Sequence, residues 1–408
     1  MIRADLRTIL AGALLGGILA VVPPQWAAAQ DAPAMQISWQ VRNRFRLFRE
    51  ERDFLLQVES ARNRSILASE QALELQSDGR GWARNTVNRL CIDLAGRVNE
   101  PCNRDSVKES YLTPTEHAVT VRLTGAVPVG AICAWSFDDG DGPRQSTFDC
   151  AEPVNLRVRY GKQTVATVDV SSGSDPTQRI QTEIEVRDIL IAGLGDSIAS
   201  GEGNPDRALA LSDEGFCFRS YLGGAQYYRP SRAGFKGGRA CEAPDTLANW
   251  QRYAALWFNA ACHRSLYSYQ TRTALALAVR YPHVAVTYLP LACTGASIRD
   301  GLLGSQRARE CPPSKSGNCQ VTVNGQVAEL REALTAAKRR QPDRKLDLVL
   351  LSIGANDVYF SGLVANVIVD TATERTLFTR SGLIASLDDS RDALGRVLPQ
   401  SFTKLREA

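Results

Sequence analysis

The sequence predicts an α/β fold with a parallel sheet, preceded by a small all-β sandwich, and three observations lead to it. From Asp188 onward, apolar runs ending in turns alternate with stretches of helical spacing. From about Glu116 to Val186, short alternating runs are separated by clusters of Gly, Pro, Ser and Asp. The 408 residues, 44% of them hydrophobic, suffice for a large core and for two or three domains. Repeated strand, turn and helix argue for a parallel sheet covered on both sides, whereas short strands with frequent turns argue for a sandwich.

Residues 1–29 read as a secretory signal. Arg3 and Arg7 precede an apolar run from Ile9 to Val22, and Ala27-Ala28-Ala29 supplies a small-residue cleavage site. The run is shorter than the roughly 20 apolar residues of a spanning helix, so the expectation is a mature chain starting near Gln30. That chain is expected to be secreted or periplasmic, without stable membrane insertion after cleavage.

Residues 30–115 read as strand then helix. Ile37, Trp39 and Val41 alternate with polar residues, Phe54, Leu55 and Val58 follow at helical spacing, and a further helical stretch runs from Ile66 to Leu75. Residues 116–187 hold the alternating runs Val119–Leu123 and Val165–Val170. Residues 188–408 hold three apolar strands, Ile189–Ala192, Val284–Leu289 and Leu346–Ile353. Helices are predicted around Thr271–Tyr281 and through Val327, Leu330, Leu334 and Ala337, which share one face.

The net charge of +4 is small, and basic residues are interspersed with acidic ones, which argues against nucleic acid as a partner. Ten cysteines in an exported chain suggest disulfides. Sequence proximity suggests Cys91 with Cys102, Cys133 with Cys150, and Cys311 with Cys319, while Cys217, Cys241, Cys262 and Cys293 leave three connectivities open. No C-x-x-C occurs and only His263 adjoins a cysteine, so neither metal nor cofactor is expected. The aspartates of Asp138-Asp139-Gly140-Asp141 miss calcium-loop spacing and are explained by turn chemistry.

In open parallel sheets, sites form beyond the carboxyl ends of the strands. After the first strand, Gly193-Leu-Gly-Asp-Ser-Ile-Ala-Ser-Gly-Glu-Gly203 puts Ser197 on a tight turn. The second is followed by Cys293-Thr-Gly-Ala-Ser297 and the third by Gly354-Ala-Asn-Asp357. Acyl transfer by serine needs donors aimed at the developing oxyanion, and the amides of Ser197 and Gly295 with the Asn356 carboxamide supply three. Ala199 rules out the G-x-S-x-G elbow, and Ile198 breaks a dinucleotide fingerprint begun at Gly193.

Gly195-Asp196-Ser197, Gly295 and Gly354-x-Asn356-Asp357 resemble the first three sequence blocks of the SGNH, or GDSL, hydrolases, in that family's order. The likeness runs from about Asp188 to the last residue. It implies a three-layer, flavodoxin-like parallel sheet and hydrolysis of carboxylic esters through an acyl-serine, with Ser197 as nucleophile and Gly295 and Asn356 as oxyanion donors. Cys262-His-Arg-Ser265 and Leu291-Ala-Cys293 are also similar to exported bacterial members, which include lipases, phospholipases and acetyl esterases. The expected substrate is therefore a small-molecule, lipid or glycan ester. Cys133–Gly142 resembles the turn of PKD-like, immunoglobulin-like sandwiches, for which carbohydrate or protein is the expected contact.

The family's base is a histidine in a D-x-x-H arrangement, which these residues lack: Pro114, Ala260 and Arg280 stand three positions before His117, His263 and His283. His263 is expected to be structural and is not assigned as the base. Asp196 and Asp357 are expected to fix loops. The chain ends at Ala408 inside an amphipathic helix with no late strand, which makes an incomplete sheet and a base beyond Ala408 the expectation. The alternative is a non-catalytic protein that binds an ester or carbohydrate ligand outside the cell. Without a base, these residues alone are expected to be nearly inactive, because losing such a histidine can cost about a million-fold in turnover.

Overall fold

The computed structural model describes residues 33–408 except 78, 80, 94, 174–175, 209–217, 220–226, 229–254, 310–320, 369–375 and 377–384. The signal segment 1–29, Cys217, Cys241 and the suggested pair Cys311–Cys319 lie outside the described residues. Strands are numbered along the chain: β1 (Gln36–Val41), β2 (Cys102–Arg104), β3 (Val107–Glu109), β4 (Glu116–Thr124), β5 (Ile132–Asp138), β6 (Arg144–Asp149), β7 (Val154–Arg159), β8 (Thr164–Ser171), β9 (Gln178–Ile184), β10 (Arg187–Gly195), β11 (Phe218–Arg219), β12 (Tyr227–Tyr228), β13 (Val284–Pro290), β14 (Gln306–Arg307), β15 (Thr322–Val323) and β16 (Leu348–Ser352).

Two antiparallel sheets, β1-β4-β7 and β6-β5-β8-β9, form a sandwich. Period-two alternation builds it: Thr164, Ala166, Val168 and Val170 of β8 all point inward, and Val119, Val121 and Val158 line the shared core. Trp135 is buried there and stacks on Phe137. The disulfide Cys133–Cys150 closes this end of the sandwich. β1 pairs with β4, with Trp39 opposite Val121, so a strand from the 30–115 region completes the sandwich of the 116–187 region.

The second core surrounds a three-stranded parallel sheet in the order β13-β10-β16. β10 is central, apolar and almost wholly buried, with Ile191 opposite both Tyr288 and Leu348. Helices Tyr269–Arg280 and Gln326–Arg340 flank it, the first capped by Ser268, whose side chain accepts from the Thr271 amide. On the far side of β13 the chain around Phe45 runs parallel to Val286, and Phe45, Leu47 and Phe48 enter the same core. A second disulfide, Cys91–Cys102, ties this segment together.

The expected three-layer parallel α/β fold is corrected by these pairings. Eight of the ten strand pairs among the described residues are antiparallel and only β10–β13 and β10–β16 are parallel, so the chain is β-rich, with comparatively few helices. The physical reason is that an apolar run records burial propensity but not which elements will cover it. β16 lies at an edge with Leu348, Val349 and Leu351 each about two-fifths exposed, so the parallel sheet is not covered on both faces there. Antiparallel partners come from the sandwich and from the short pairs β2–β3, β11–β12 and β14–β15. No helix among the described residues is long and apolar enough to cross a membrane.

Candidate active site

β10 ends at Gly195, whose φ of +136° is open to glycine but strained for other residues, and where a Cβ would overlap the Ser352 carbonyl oxygen. Gln326 clamps this end from both sides: its Oε1 accepts from the Gly195 amide at 2.7 Å and its Nε2 donates to the Gly195 carbonyl at 2.8 Å. Asp196 then caps the helical turn Ser197–Ser200, accepting from the Ile198 amide at 3.0 Å. Burial raises the Asp196 carboxyl pKa, and the amides of Ile198, Ala199 and Ala355 offset this only in part. Ser197 is the first residue of the turn and is half-buried, and its Oγ has no hydrogen-bond partner among the described residues.

The three strand ends are bonded to one another. The Cys293 amide donates to the Gly195 carbonyl at 3.0 Å, and the Asp196 amide donates to the Ser352 carbonyl at 3.1 Å. Ser200 and Thr294 share a hydroxyl bond of 3.0 Å. The disulfide Cys262–Cys293, one of the connectivities left open by sequence, anchors the middle loop. Gly295 is exposed, takes φ +81°, and a Cβ added there would meet open space. Its role in the turn is therefore conformational rather than a matter of room.

Asn356 Nδ2 donates to the Ala296 carbonyl at 2.8 Å, which places its carboxamide beside the Gly295 turn with a second amide hydrogen still to give. Asp357 accepts from the Ile298 amide through both oxygens at 3.2 and 3.0 Å, and burial raises its pKa. Ser197, Gly295 and Asn356 thus occupy three loops joined by direct hydrogen bonds. If Asn356 serves as the oxyanion donor expected from the sequence, an Asn356→Ala variant lowers turnover by about 10² to 10³, while the loop bond to Ala296 is lost at modest cost in stability. Steady-state rates and thermal melts on the same preparation separate the two effects.

The histidines lie elsewhere. His263 is buried, takes φ +49°, stacks on Trp257 at 3.9 Å and puts Nδ1 3.3 Å from Glu202 Oε1. Burial works against ionisation of Glu202, but His263 and Arg309 outweigh it and hold the carboxyl below its usual range. Because the Glu202 amide donates to the Ser197 carbonyl at 3.1 Å, this cluster is bonded to the turn that carries Ser197. His283 stacks on Trp39 by the amino end of β13. His117 is buried against Asp188 between sandwich and parallel sheet, with Nε2 3.4 Å from Oδ2.

Desolvation drives the His117 pKa down to about 4, with the charges of Arg46 and Arg104 adding to it and those of Asp188 and Glu109 opposing it. The folded value lies below the unfolded one, so the stability it contributes is present above pH 6.5 and is lost as the pH falls through 4, by about 3 kcal/mol. Denaturant midpoints at pH 7 and 4.5 should show this loss and a shallower one in His117→Gln. Equal slopes would remove His117 as the cause.

Sequence reasoning missed the Gln326 clamp, the Glu202–His263–Trp257 stack and the charges around Asp188, because each joins positions far apart in the chain. Among the described residues no group of three or more His, Cys, Asp or Glu side chains is placed to hold a metal ion. No protein-family model, curated protein or solved structure matches the chain.

Proposed function

We propose that the protein is a serine hydrolase of carboxylic esters that acts through an acyl-serine at Ser197. The observation that supports this reading is that a serine whose hydroxyl has no hydrogen-bond partner among the described residues begins a helical turn, and that Gly295 and Asn356 lie on two loops hydrogen-bonded to the loop that carries it. The likeness of the three motifs to SGNH hydrolases supports the chemistry, although the sheet is not the one that likeness implied. Three disulfides among the described residues fit an oxidising, extracytoplasmic setting.

In this mechanism Ser197 Oγ bonds to the ester carbonyl carbon and its proton passes to a base. The carbonyl oxygen becomes an oxyanion held by the amides of Ser197 and Gly295 and by Asn356. The alcohol leaves with a proton returned by the base, and water then releases the acid. Neither the buried His263 nor the distant His117 and His283 bonds to Ser197, so we assign the base to none of these three.

That same observation favours a second reading, a ligand-binding protein that retains the loops without turnover. The test is labelling of the protein from its native source with a fluorophosphonate ester, followed by peptide mass mapping. A phosphonyl adduct on Ser197 is expected. An unlabelled Ser197, in protein that still binds an ester, would move the assignment to the binding reading.

A further inference from the structure

A cavity of about 390 Å³ lies where the sandwich meets the segment 42–46 and the hairpin β2–β3. Its walls come from both sides of that junction: His117 on β4 and Asn155 and Arg157 on β7, against Arg46, Arg104 and Glu109. Four of the polar residues that line it, Asn43, Arg46, Arg104 and His117, are buried. Asn43 Oδ1 and Arg46 Nε have no hydrogen-bond partner among the described residues. None of residues 193–204, 293–297 or 354–357 lines this cavity, so it is separate from the loops around Ser197.

Charge at the buried wall does not balance. Arg46, Arg104 and Arg344 bring three buried guanidiniums, and the carboxylates paired with them are Asp188 and Glu109. Asp188 is bonded to Arg344 at 2.9 Å, with Arg46 Nε 3.8 Å away. Glu109 Oε1 accepts from both Arg46 at 3.0 Å and Arg104 at 2.6 Å. His117 adds no charge at neutral pH, because desolvation drives its pKa down to about 4. One buried positive charge is left over, and such a charge is costly until an anion meets it. Burial, and next the charge of Arg104, pull the Arg46 guanidinium below its usual range.

The sandwich wall supplies donors. Asn155 Oδ1 accepts from the Thr120 hydroxyl at 2.7 Å, which leaves its Nδ2 hydrogens to give. Arg157 bonds Glu116 through Nη1 at 2.7 Å, and its side chain is about one-third exposed. Val41, Leu156 and Ala285 make part of the lining apolar. The remaining carboxylate, Asp105, is at the exposed rim, where it accepts from Asn43 Nδ2 and the Glu51 amide and where water screens it.

This chemistry selects among small ions. A single unmatched charge calls for a monoanion, since a second carboxylate or a phosphate dianion would face Asp105 and Glu109 with no buried cation left for it. An ammonium group would add positive charge to a wall that already holds one too many. An alkyl tail covers Val41, Leu156 and Ala285, which a bare inorganic ion leaves wet. We propose that this cavity binds a small monocarboxylate with a short apolar tail, held between the sandwich and the hairpin β2–β3. The site is independent of the ester-hydrolase reading of Ser197.

Butyrate, inorganic phosphate and butylamine are titrated calorimetrically into the protein and into Arg157→Gln, Arg46→Gln and Ser197→Ala. Butyrate is expected to bind more tightly than the other two, equally well in Ser197→Ala, and at least about fivefold more weakly in Arg157→Gln. Arg46→Gln removes the unmatched charge and is expected to abolish binding in protein whose thermal melt shows it folded. If that variant does not fold, Arg157→Gln, at an accessible position, decides the matter. No butyrate binding up to about 10 mM, or binding that either arginine variant leaves unchanged, would overturn the proposal. So would loss of binding in Ser197→Ala, which would place the acid at the serine, or phosphate binding tighter than butyrate, which would mark a bare oxyanion site.

Discussion

Under the proposed acyl-serine mechanism, replacing Ser197 by alanine is expected to abolish ester hydrolysis by the protein from its native source, a loss of up to about a million-fold if serine and base act as one unit. Folding should be untouched. The Ser197 side chain makes no hydrogen bond among the described residues and is half-buried, so its Oγ can be removed without leaving a partner unsatisfied. Such changes fall within about 0.5 kcal/mol. Backbone contacts of residue 197, which accept from Gly201 and Glu202, persist in the variant. The discriminating experiment pairs hydrolysis of a p-nitrophenyl ester with a thermal melt. An unchanged rate would remove Ser197 as nucleophile, and a large drop in melting temperature would mean that the serine holds the turn together.

A second large effect is expected at a residue with no part in the chemistry. Asp188, at the start of β10, is buried with its Oδ1 accepting from Arg344 Nη2 and from the Thr287 hydroxyl, both at 2.9 Å. Its Oδ2 faces His117 at 3.4 Å and Arg46 Nε at 3.8 Å. Burial works against ionisation here, but Arg344, His117 and Arg46 outweigh it and hold the carboxyl below its usual range. Arg344 and Arg46 are themselves buried, and Arg46 is shared with Glu109 at 3.0 Å.

Asp188→Ala would leave guanidinium charge in the interior without its partner, which costs about 3 to 5 kcal/mol. The cluster joins the sandwich, through His117 on β4, to the parallel sheet, through Asp188 on β10, so the variant should melt with both halves affected. Chemical denaturation followed by tryptophan fluorescence reads this, since Trp135 reports on the sandwich core and Trp82 on the other. A change below about 1 kcal/mol would show the cluster to be surface-like in its energetics.

What the sequence by itself determined is local. Alternation in Val165–Val170 marks one inward face of a strand, and the apolar Ile189–Ala192 followed by glycine puts Ser197 on a tight turn, because period and backbone freedom are written in neighbouring residues. The close cysteines behave the same way: Cys91–Cys102 and Cys133–Cys150 are separated by 11 and 17 residues, and both pairs form.

What only the tertiary structure decided is long-range. Whether Leu348–Ser352 is covered on both faces, that β1 crosses back to pair with β4, that Cys262 chooses Cys293, and that Asp188 meets Arg344 across 156 positions all depend on which distant segments arrive. Hydrophobic burial sets the pattern within a segment, but it is non-directional and leaves sheet polarity and the covering partner to the packing of the whole chain. For that reason an expected parallel α/β protein folds as a β-rich one, while the turn that carries Ser197 lies where its own residues put it.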